Sequence, residues 1–343
     1  MVLDIKQLNF QDEKKWDYYV SLNKNATFYH QCGWKKVVEE TYKHKSYYLL
    51  CENDVGDVKG ILPLFLVRDL FQRKRLVSVP FAPYGGVCSE TEEVKTALIN
   101  EAINLAEELD TGVLEFRLNN NTTHNNFSCI EDYSSFKLDL SFGTEYVWKN
   151  VEKTIRTAIR KGEKNNLKFE IEQDIAAIAE LYEIYSKNMK ALGTPVHDYC
   201  FFTNIYKMFP HDVFIAKAKL DNKTISSLFL LKFKDTLIYG WGSSLTKFLK
   251  FAPNNFIHWN SIKYGCEKGL SWYDFGRSPK NSGNFKFKKR WNGVEIPIIS
   301  CFYPENRNIT APQKRYRKFA PLWSKFPLRV TRIIGPRIRK YVV

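Results

Sequence analysis

Cations and aromatic residues alternate between positions 285 and 291, directly after a loop of small and polar residues. The apolar run 270–275 predicts a short buried strand that ends at Gly276. The Ser, Pro, Asn and Gly residues that follow are typical of tight turns, which leave backbone N–H groups available. Cations held on an aromatic frame at the end of a strand suit a site that binds phosphate and polarises a carbonyl group. The alternative is a basic surface loop that its aromatic residues anchor to the core.

Length and composition place the chain among ordinary folded proteins. Its 343 residues are enough for two domains, and 44% hydrophobic with 15% aromatic residues excludes a disordered or fibrous chain. No apolar run approaches the roughly 20 residues that cross a bilayer. Residues 1–10 include Asp4 and Lys6 and lack the pattern of a signal peptide. We therefore expect a cytoplasmic protein.

Cysteine and histidine residues are scattered along the chain. Among the seven cysteines there is no C-x-x-C pair, and an odd, dispersed set predicts reduced and mostly buried thiols. The six histidines show no spacing that is typical of a metal site. We expect no metal and no cofactor.

The net charge of +15 is concentrated at the C-terminal end. Residues 306–343 contain eleven cations and no acid, which leaves a net charge of +4 for residues 1–305. Such a field favours anionic partners: RNA, phosphorylated precursors or an anionic membrane surface. The tail cations alternate with aromatic and aliphatic residues and are interrupted by prolines, which suits an interfacial position on anionic lipid. Contact with RNA is the alternative.

Two halves of the chain carry the same order of predicted elements, offset by about 160 residues. Each half contains a hairpin (47–67 and 213–233), a long helix (92–109 and 253–268) and a strand (112–118 and 270–275). A single basic helix is predicted over 148–164. This order indicates a duplicated α/β unit, whose functional loops we expect in a cleft shared by the two halves.

Several short motifs resemble those of the Fem family of aminoacyl- and peptidyl-transferases, most closely its FemAB-like, exosortase-associated type. Segments 28–34 and 81–86 are similar to the first-half signatures of that family. The more specific motifs are Leu-Gly-Thr-Pro-Val at 192–196, Asp-Phe-Gly-Arg-Ser at 274–278, Ser-Gly at 282–283, Phe-Lys-Lys-Arg-Trp at 287–291, Leu-Trp-Ser-Lys-Phe-Pro-Leu at 322–328 and Gly-Pro at 335–336.

The resemblance implies an α/β (α+β) fold with two tandem GNAT-like acyltransferase domains, a shared cleft and a basic C-terminal tail. The expected ranges are 1–145, 146–305 and 306–343. The implied reaction moves an aminoacyl or acyl group onto an amine of a nucleotide- or lipid-linked cell-envelope precursor, of peptidoglycan or of a surface polysaccharide. The expected location is the cytoplasm, at the inner face of the membrane.

In the relatives, the Phe-Lys pair matched here by Phe287 and Lys288 lies at the catalytic centre. When an amine attacks an ester or thioester, a fixed ammonium stabilises the charge that develops on the carbonyl oxygen, by roughly 3–4 kcal/mol. Phe287 would then exclude water. The residues predicted to bind substrate are Lys36, Tyr84, Gly85, Gly86, Glu90, Arg156, Arg160, Asp274, Gly276, Arg277 and Trp291.

The donor and the general base stay open. Peptidoglycan-type members tend to have Arg-Gly-Pro where this chain has Tyr84-Gly85-Gly86, so Glu90 or water is the expected base. The pyrophosphate loop of CoA-using GNAT enzymes does not precede residue 92 or 253, which argues against ordinary acetyl-CoA. The co-substrate is therefore aminoacyl-tRNA or, alternatively, an acyl-CoA or acyl-carrier thioester used on an amino sugar. A non-catalytic protein that binds RNA or anionic membrane is the third alternative.

Overall fold

A computed structural model describes residues 3–118, 126–305 and 320–342. The described residues divide into two compact units. The first draws on Met1–Asp132, Pro297–Arg315 and Lys340–Val343, and the second on Tyr133–Ile296 and Tyr316–Arg339. This division differs from the ranges expected from sequence. Residues 297–305 return to the first unit, and residues 320–339 of the predicted tail belong to the second.

The helices and strands follow the predicted order closely. The helices are α1 (Glu13–Leu22), α2 (Cys32–Tyr42), α3 (Glu92–Glu108), α4 (Gly143–Asn150), α5 (Lys153–Lys164), α6 (Ala177–Ala191), α7 (Tyr199–Met208), α8 (Pro253–Glu267), α9 (Gly283–Lys289), α10 (Ala320–Trp323) and α11 (Leu328–Arg339). The strands are β1 (Asp4–Gln7), β2 (Lys45–Ser46), β3 (Leu49–Glu52), β4 (Val58–Leu62), β5 (Leu64–Arg68), β6 (Lys74–Ser78), β7 (Cys88–Ser89), β8 (Leu114–Leu118), β9 (Ser128–Asp139), β10 (Lys168–Glu172), β11 (Val213–Leu220), β12 (Lys223–Phe233), β13 (Thr236–Ser244), β14 (Trp272–Asp274), β15 (Ser278–Pro279) and β16 (Val294–Tyr303).

The first unit contains two groups of paired strands. One has the order β1-β3-β4-β7 and is antiparallel, and in the other β2, β5, β6, β8 and the end of β16 are neighbours. Strands β6 and β8 are parallel, and the long helix α3 connects them. Thr91 caps the start of α3, because its side chain accepts a hydrogen bond from the N–H of Val94 at 3.3 Å. The buried side of this helix, which includes Leu98 and Ala102, packs into the hydrophobic core of the first unit.

The second unit contains the sheet β10-β11-β12-β13-β14-β9. All neighbours in it are antiparallel except β13 and β14, which are parallel and are connected by α8. Helix α8 has proline at its first position, where the missing N–H costs no helical hydrogen bond. Phe256, Ile257 and Ile262 pack into the core of this unit. Each unit thus repeats one arrangement, a strand, a long helix and a parallel strand, which confirms the predicted α/β class.

Three expectations from the sequence are wrong. The predicted basic helix over 148–164 is two helices, because Val151 has an extended backbone that ends α4. The basic segment after Ser282 is the short helix α9, so the alternative of a basic surface loop is wrong. The thiols are not all reduced, since Cys129 and Cys301 form a disulfide with their Cα atoms 4.1 Å apart.

Within the described residues, no helix is both long and apolar enough to cross a bilayer. The same residues contain no group of three or more His, Cys, Asp and Glu side chains that is arranged to hold a metal ion.

Candidate active site

The parallel strands β13 and β14 part at the point where the candidate site lies. They pair at Thr236 with Trp272, Leu237 with Tyr273 and Ile238 with Asp274. Strand β14 then ends, whereas β13 continues to Ser244 and stays paired with β12, with a bulge at Phe229/Leu230. A crevice beyond the carboxyl ends of parallel strands is where ligands bind in α/β proteins.

Gly276 turns the chain away from β14 immediately after the pairing stops. Its φ is +65°, and a Cβ atom at this position would lie 2.8 Å from the carbonyl oxygen of Tyr239. Both the left-handed backbone and the close approach to β13 therefore require glycine. This geometry explains the glycine of the Asp-Phe-Gly-Arg-Ser motif through backbone packing.

The buried side chain of Asp274 stabilises this turn through hydrogen bonds. Its side chain is almost fully buried, and Oδ1 accepts hydrogen bonds from Ser135 Oγ at 2.6 Å and from the N–H of Gly276 at 2.8 Å. These bonds tie the end of β14 to β9 and set the direction of the following loop. Asp274, which the sequence offered as a substrate ligand, thus has a positioning contact in the structure.

Helix α9 brings Lys288 back to this turn. Ser282 starts the helix by accepting a hydrogen bond from the N–H of Phe285 at 3.1 Å. Lys288 is buried, and its Nζ atom donates to the carbonyl oxygens of Gly276 at 2.8 Å and Arg277 at 3.1 Å. The ring centroid of Tyr239, on β13, lies 5.5 Å from Nζ. The amine therefore lies where the two strands part.

Burial lowers the pKa of Lys288 to about 7, because the ammonium loses its hydration. The carboxylate of Asp274 acts in the opposite direction, and the guanidinium of Arg277 lowers the pKa further. Both protonation states of this amine are consequently populated near neutral pH. A buried lysine whose pKa is lowered to this extent is a candidate functional residue.

Aromatic side chains pack around the helix that carries Lys288. Phe287 is half-buried, and its ring centroid lies 5.6 Å from that of His258 and 6.2 Å from that of Trp291. Burial lowers the pKa of His258 to about 3, so this imidazole is neutral and brings no second charge. Trp291 was predicted to bind substrate, but it is completely buried in the core, where it packs on Phe275. The structure gives it a packing role.

The other predicted cations of the second unit have different surroundings. Arg277 is half-buried, with its guanidinium 5.2 Å from the ring centroid of Tyr133. Arg156 Nη1 donates to the carbonyl oxygens of Trp148, Lys149 and Val151 at 2.7–3.1 Å, so it caps the end of α4. Arg160 stacks on Trp148 at 5.4 Å. Only Arg277 lies beside Lys288; a substrate contact by Arg156 or Arg160 stays a prediction.

The predicted residues of the first unit form separate groups. Lys36 makes an ion pair with Glu13 at 2.7 Å, and the exposed Glu90 lies 3.4 Å from Lys59. These pairs hold the two side chains at the surface of the unit, and their predicted substrate roles remain predictions.

Tyr84, Gly85 and Gly86 line a small polar cavity of about 90 Å³ in the first unit. The carbonyl oxygen of Gly86 is 2.9 Å from His30 Nε2. A Cβ atom on Gly85 would lie 2.5 Å from Val79, and one on Gly86 would lie within 2.5 Å of the Leu118 side chain. Tight packing thus accounts for both glycines, and a substrate contact by them remains a prediction.

Three residues around the turn after β14 were not among the predicted site residues. Tyr239 and Ser135 come from other strands of the sheet, and no spacing in the chain connects them to the lysine. Ser278 follows Arg277, and its buried Oγ has no hydrogen-bond partner among the described residues. It is an available polar group one residue from the lysine-bound carbonyls.

Comparison with known proteins agrees with this geometry. A family model described as an acetyltransferase (GNAT) domain matches residues 149–289, which include the parting strands and Lys288. No curated protein matches the chain by sequence.

Solved structures match nearly the whole chain. FemX is 16% identical, with a TM-score of 0.70 over 92% of this chain and 100% of its own. The C-terminal domain of a putative lysylphosphatidylglycerol synthetase from Agrobacterium fabrum is 12% identical, with a TM-score of 0.57 over 85% and 91%. A tandem GNAT protein from the clavulanic acid biosynthesis pathway is 10% identical, with a TM-score of 0.55 over 88% and 98%.

These matches confirm the predicted tandem GNAT-like fold and its resemblance to Fem proteins. They also confirm the prediction of an acyltransferase at the level of the GNAT domain. Residues 149–289 match the model of an acetyltransferase (GNAT) domain, within a chain whose fold is similar to that of FemX over almost its whole length.

Proposed function

We propose that this protein transfers an aminoacyl or acyl group to an amine of a nucleotide- or lipid-linked cell-envelope precursor, of peptidoglycan or of a surface polysaccharide. The observation that carries the proposal is the position of Lys288. Its Nζ atom is buried at the parting of β13 and β14, with two hydrogen bonds to the carbonyls of Gly276 and Arg277. An ammonium has three N–H donors, so one is left for a substrate.

In the proposed step, the acceptor amine attacks the carbonyl carbon of the donor ester or thioester. A C–N bond forms, the C–O or C–S bond breaks, and the proton lost by the amine passes through water to the leaving oxygen or sulfur. The third N–H of Lys288 donates to the carbonyl oxygen as negative charge develops there, which is worth roughly 3–4 kcal/mol in comparable sites. Phe287, half-buried beside the lysine, limits the access of water.

Two comparisons favour the envelope as the setting. FemX, which bears the name of the Fem family, has a similar fold over nearly the whole chain, and another neighbour is named as the C-terminal domain of a putative lysylphosphatidylglycerol synthetase. We place the reaction of this chain in the cytoplasm, at the inner face of the membrane.

The structure constrains the identity of the acyl donor less than it constrains the position of Lys288. Aminoacyl-tRNA is our first choice, and an acyl-CoA or acyl-carrier thioester acting on an amino sugar is the second. Helix α8 starts at Pro253, which has no N–H to offer a phosphate, so the start of this helix is a weaker pyrophosphate cradle than in CoA-using GNAT enzymes.

Mass spectrometry of envelope precursors tests the proposal. Cells with the wild-type protein are expected to contain a precursor that is heavier by one aminoacyl or acyl group than the precursor of cells without it. The Lys288→Met variant is expected to lower the rate of formation by about 10²–10³-fold. Lys286→Met, an exposed lysine on the same short helix, is the matched control and is expected to behave as wild type.

The outcome separates the alternatives. The mass difference identifies the transferred group and hence the donor class. An unchanged set of precursors, with and without the protein, would reject transfer and favour a binding protein. Full turnover by a folded Lys288→Met variant would reject the proposed role of the lysine alone.

A further inference from the structure

Helices α10 and α11 leave a mixed cationic and apolar surface exposed on the second unit. We call it the tail face. It consists of Leu322, Lys325, Phe326, Arg329, Ile333 and Arg337. Arg329, Ile333 and Arg337 are four residues apart and therefore lie along one side of α11. Leu322 and Ile333 are each 60% exposed and Phe326 is 40% exposed, although all three are apolar.

The opposite side of α11 is fixed to the second unit. Thr331 and Gly335 are buried, and a Cβ atom on Gly335 would lie 3.0 Å from the side chain of Val196. Arg332 donates to Ser186 Oγ on α6 at 2.7 Å and makes an ion pair with Glu183 at 2.5 Å. These contacts determine which side of the helix is exposed, so the tail face is a fixed surface of the fold.

Charge indicates what this surface meets. The chain has no acidic residue between 306 and 343. No ion pair connects Lys325, Arg329 or Arg337 to an acid in the described part of the chain, whereas the inward Arg332 has one. Exposed cations next to exposed apolar groups are complementary to a partner whose surface is anionic and whose interior is apolar.

We propose that the tail face binds the surface of an anionic lipid bilayer, with Leu322, Phe326 and Ile333 inserted between headgroups and the three cations on lipid phosphates. Helices of this kind lie in the interface, and each Lys or Arg near an anionic leaflet adds to binding. RNA is the less suitable partner, because Leu322 and Ile333, two of the three apolar side chains of the face, offer no flat ring for a base. The proposal rests on the proposed function only for its setting at the inner membrane face.

Vesicle co-sedimentation of the full chain tests the proposal. The wild-type protein is expected to bind vesicles of phosphatidylcholine mixed with phosphatidylglycerol, more weakly with added salt, and to bind pure phosphatidylcholine poorly. The triple variant Lys325→Gln, Arg329→Gln, Arg337→Gln is expected to bind the mixed vesicles on the order of 10²-fold more weakly. A control that removes the same charge elsewhere, Lys14→Gln, Lys24→Gln, Lys207→Gln, is expected to bind almost as wild type.

A second variant examines the apolar part of the face. Leu322→Ser, Phe326→Ser, Ile333→Ser keeps every charge and is expected to weaken vesicle binding, while Phe71→Ser, at an exposed phenylalanine of the first unit, leaves it unchanged. All these side chains are exposed, so circular dichroism and thermal unfolding should match wild type. Equal binding by the tail variants and wild type would overturn the proposal, as would binding of tRNA but not of vesicles.

The experiments distinguish a failure of the membrane-binding proposal from a failure of the proposed transfer reaction. Lys288→Met is expected to bind mixed vesicles as wild type does, because its substitution lies outside the tail face. If the precursor mass shift occurs but vesicles are not bound, only the docking surface is rejected. If vesicles are bound through the tail face but no precursor changes mass, only the transfer reaction is rejected.

Discussion

Gly276 lies so close to Tyr239 that a Cβ atom on the glycine would come within 2.8 Å of the tyrosine carbonyl oxygen. This approach closes the turn after β14 against β13, and it places the carbonyl of Gly276 where Lys288 Nζ binds it at 2.8 Å. One backbone contact thus supports the whole environment of the lysine.

Gly276→Ala is expected to destabilise the protein and to displace the lysine-bound carbonyl. The left-handed backbone alone costs an alanine about 1–2 kcal/mol, and the contact with Tyr239 adds to that cost. Gly143→Ala is the control, because Gly143 also has a positive φ, +79°, but nothing lies within 4 Å of its added Cβ. Urea unfolding of both variants measures the difference. Equal losses would show that the contact between Gly276 and Tyr239 is unimportant.

Lys288 is expected to contribute a rise in the free energy of unfolding between about pH 7 and pH 10. The pKa of Lys288 is about 7 in the folded chain and has its ordinary value near 10.5 in the unfolded chain. The unfolded chain therefore binds more protons in this range, and raising the pH favours folding by at most about 1.4 kcal/mol per pH unit. Lys288→Met should lose this slope and Lys286→Met should keep it, in urea titrations at several pH values. An identical slope in both variants would contradict the assignment.

Asp274→Asn is expected to lower the pKa of Lys288 further. The asparagine keeps Oδ1 as an acceptor for Ser135 and for the N–H of Gly276, but it removes the negative charge that stabilises the ammonium. The lysine pKa, measured by NMR titration of its side chain, should fall below about 7. Ser135→Ala removes one hydrogen bond and no charge, and it serves as the comparison. A raised pKa in Asp274→Asn would be inconsistent with the described site.

The residues of this site differ in how far their proximity could be predicted from the sequence. Gly276, Arg277 and Lys288 lie within thirteen positions, and a strand, a turn and a cationic segment are local patterns, so their proximity follows from the sequence. The pairing of β13, β14 and β9 brings Tyr239 to the lysine and Ser135 to Asp274. Such pairing depends on which strands are neighbours in the sheet, and a single sequence contains no signal for that.

The missed disulfide and the missed helix break have different causes. Cys129 and Cys301 are 172 residues apart in the sequence, and only the fold brings them together. The break in the predicted helix 148–164 depends on Arg156, whose guanidinium binds three carbonyls at the end of α4 and competes with a continuous helix. The long helices were predictable because their apolar spacing and end signals extend over many residues.

Activity is expected to depend on pH in a direction that identifies the state of Lys288. If the ammonium stabilises the carbonyl oxygen, the ratio of the wild-type rate to the Lys288→Met rate should fall as the pH rises through about 7. The ratio is the right quantity because the ionisation of the acceptor amine affects both rates equally. A ratio that rises with pH would instead assign the neutral amine as a general base.

The Gly193→Ala variant tests whether α10 is packed on the second unit. Gly193 has a φ of +67°, and a Cβ atom on it would lie 2.4–2.6 Å from Ala320 at the start of α10. Gly193→Ala is therefore expected to cost about 1–2 kcal/mol for its backbone and a further amount for displacing α10. Gly269→Ala, at a φ of +68° with open space around it, measures the backbone cost alone. The excess loss in Gly193→Ala, from urea unfolding, should come with faster proteolysis after Lys325. If the two variants lose the same stability and resist protease equally, α10 is not packed on this turn.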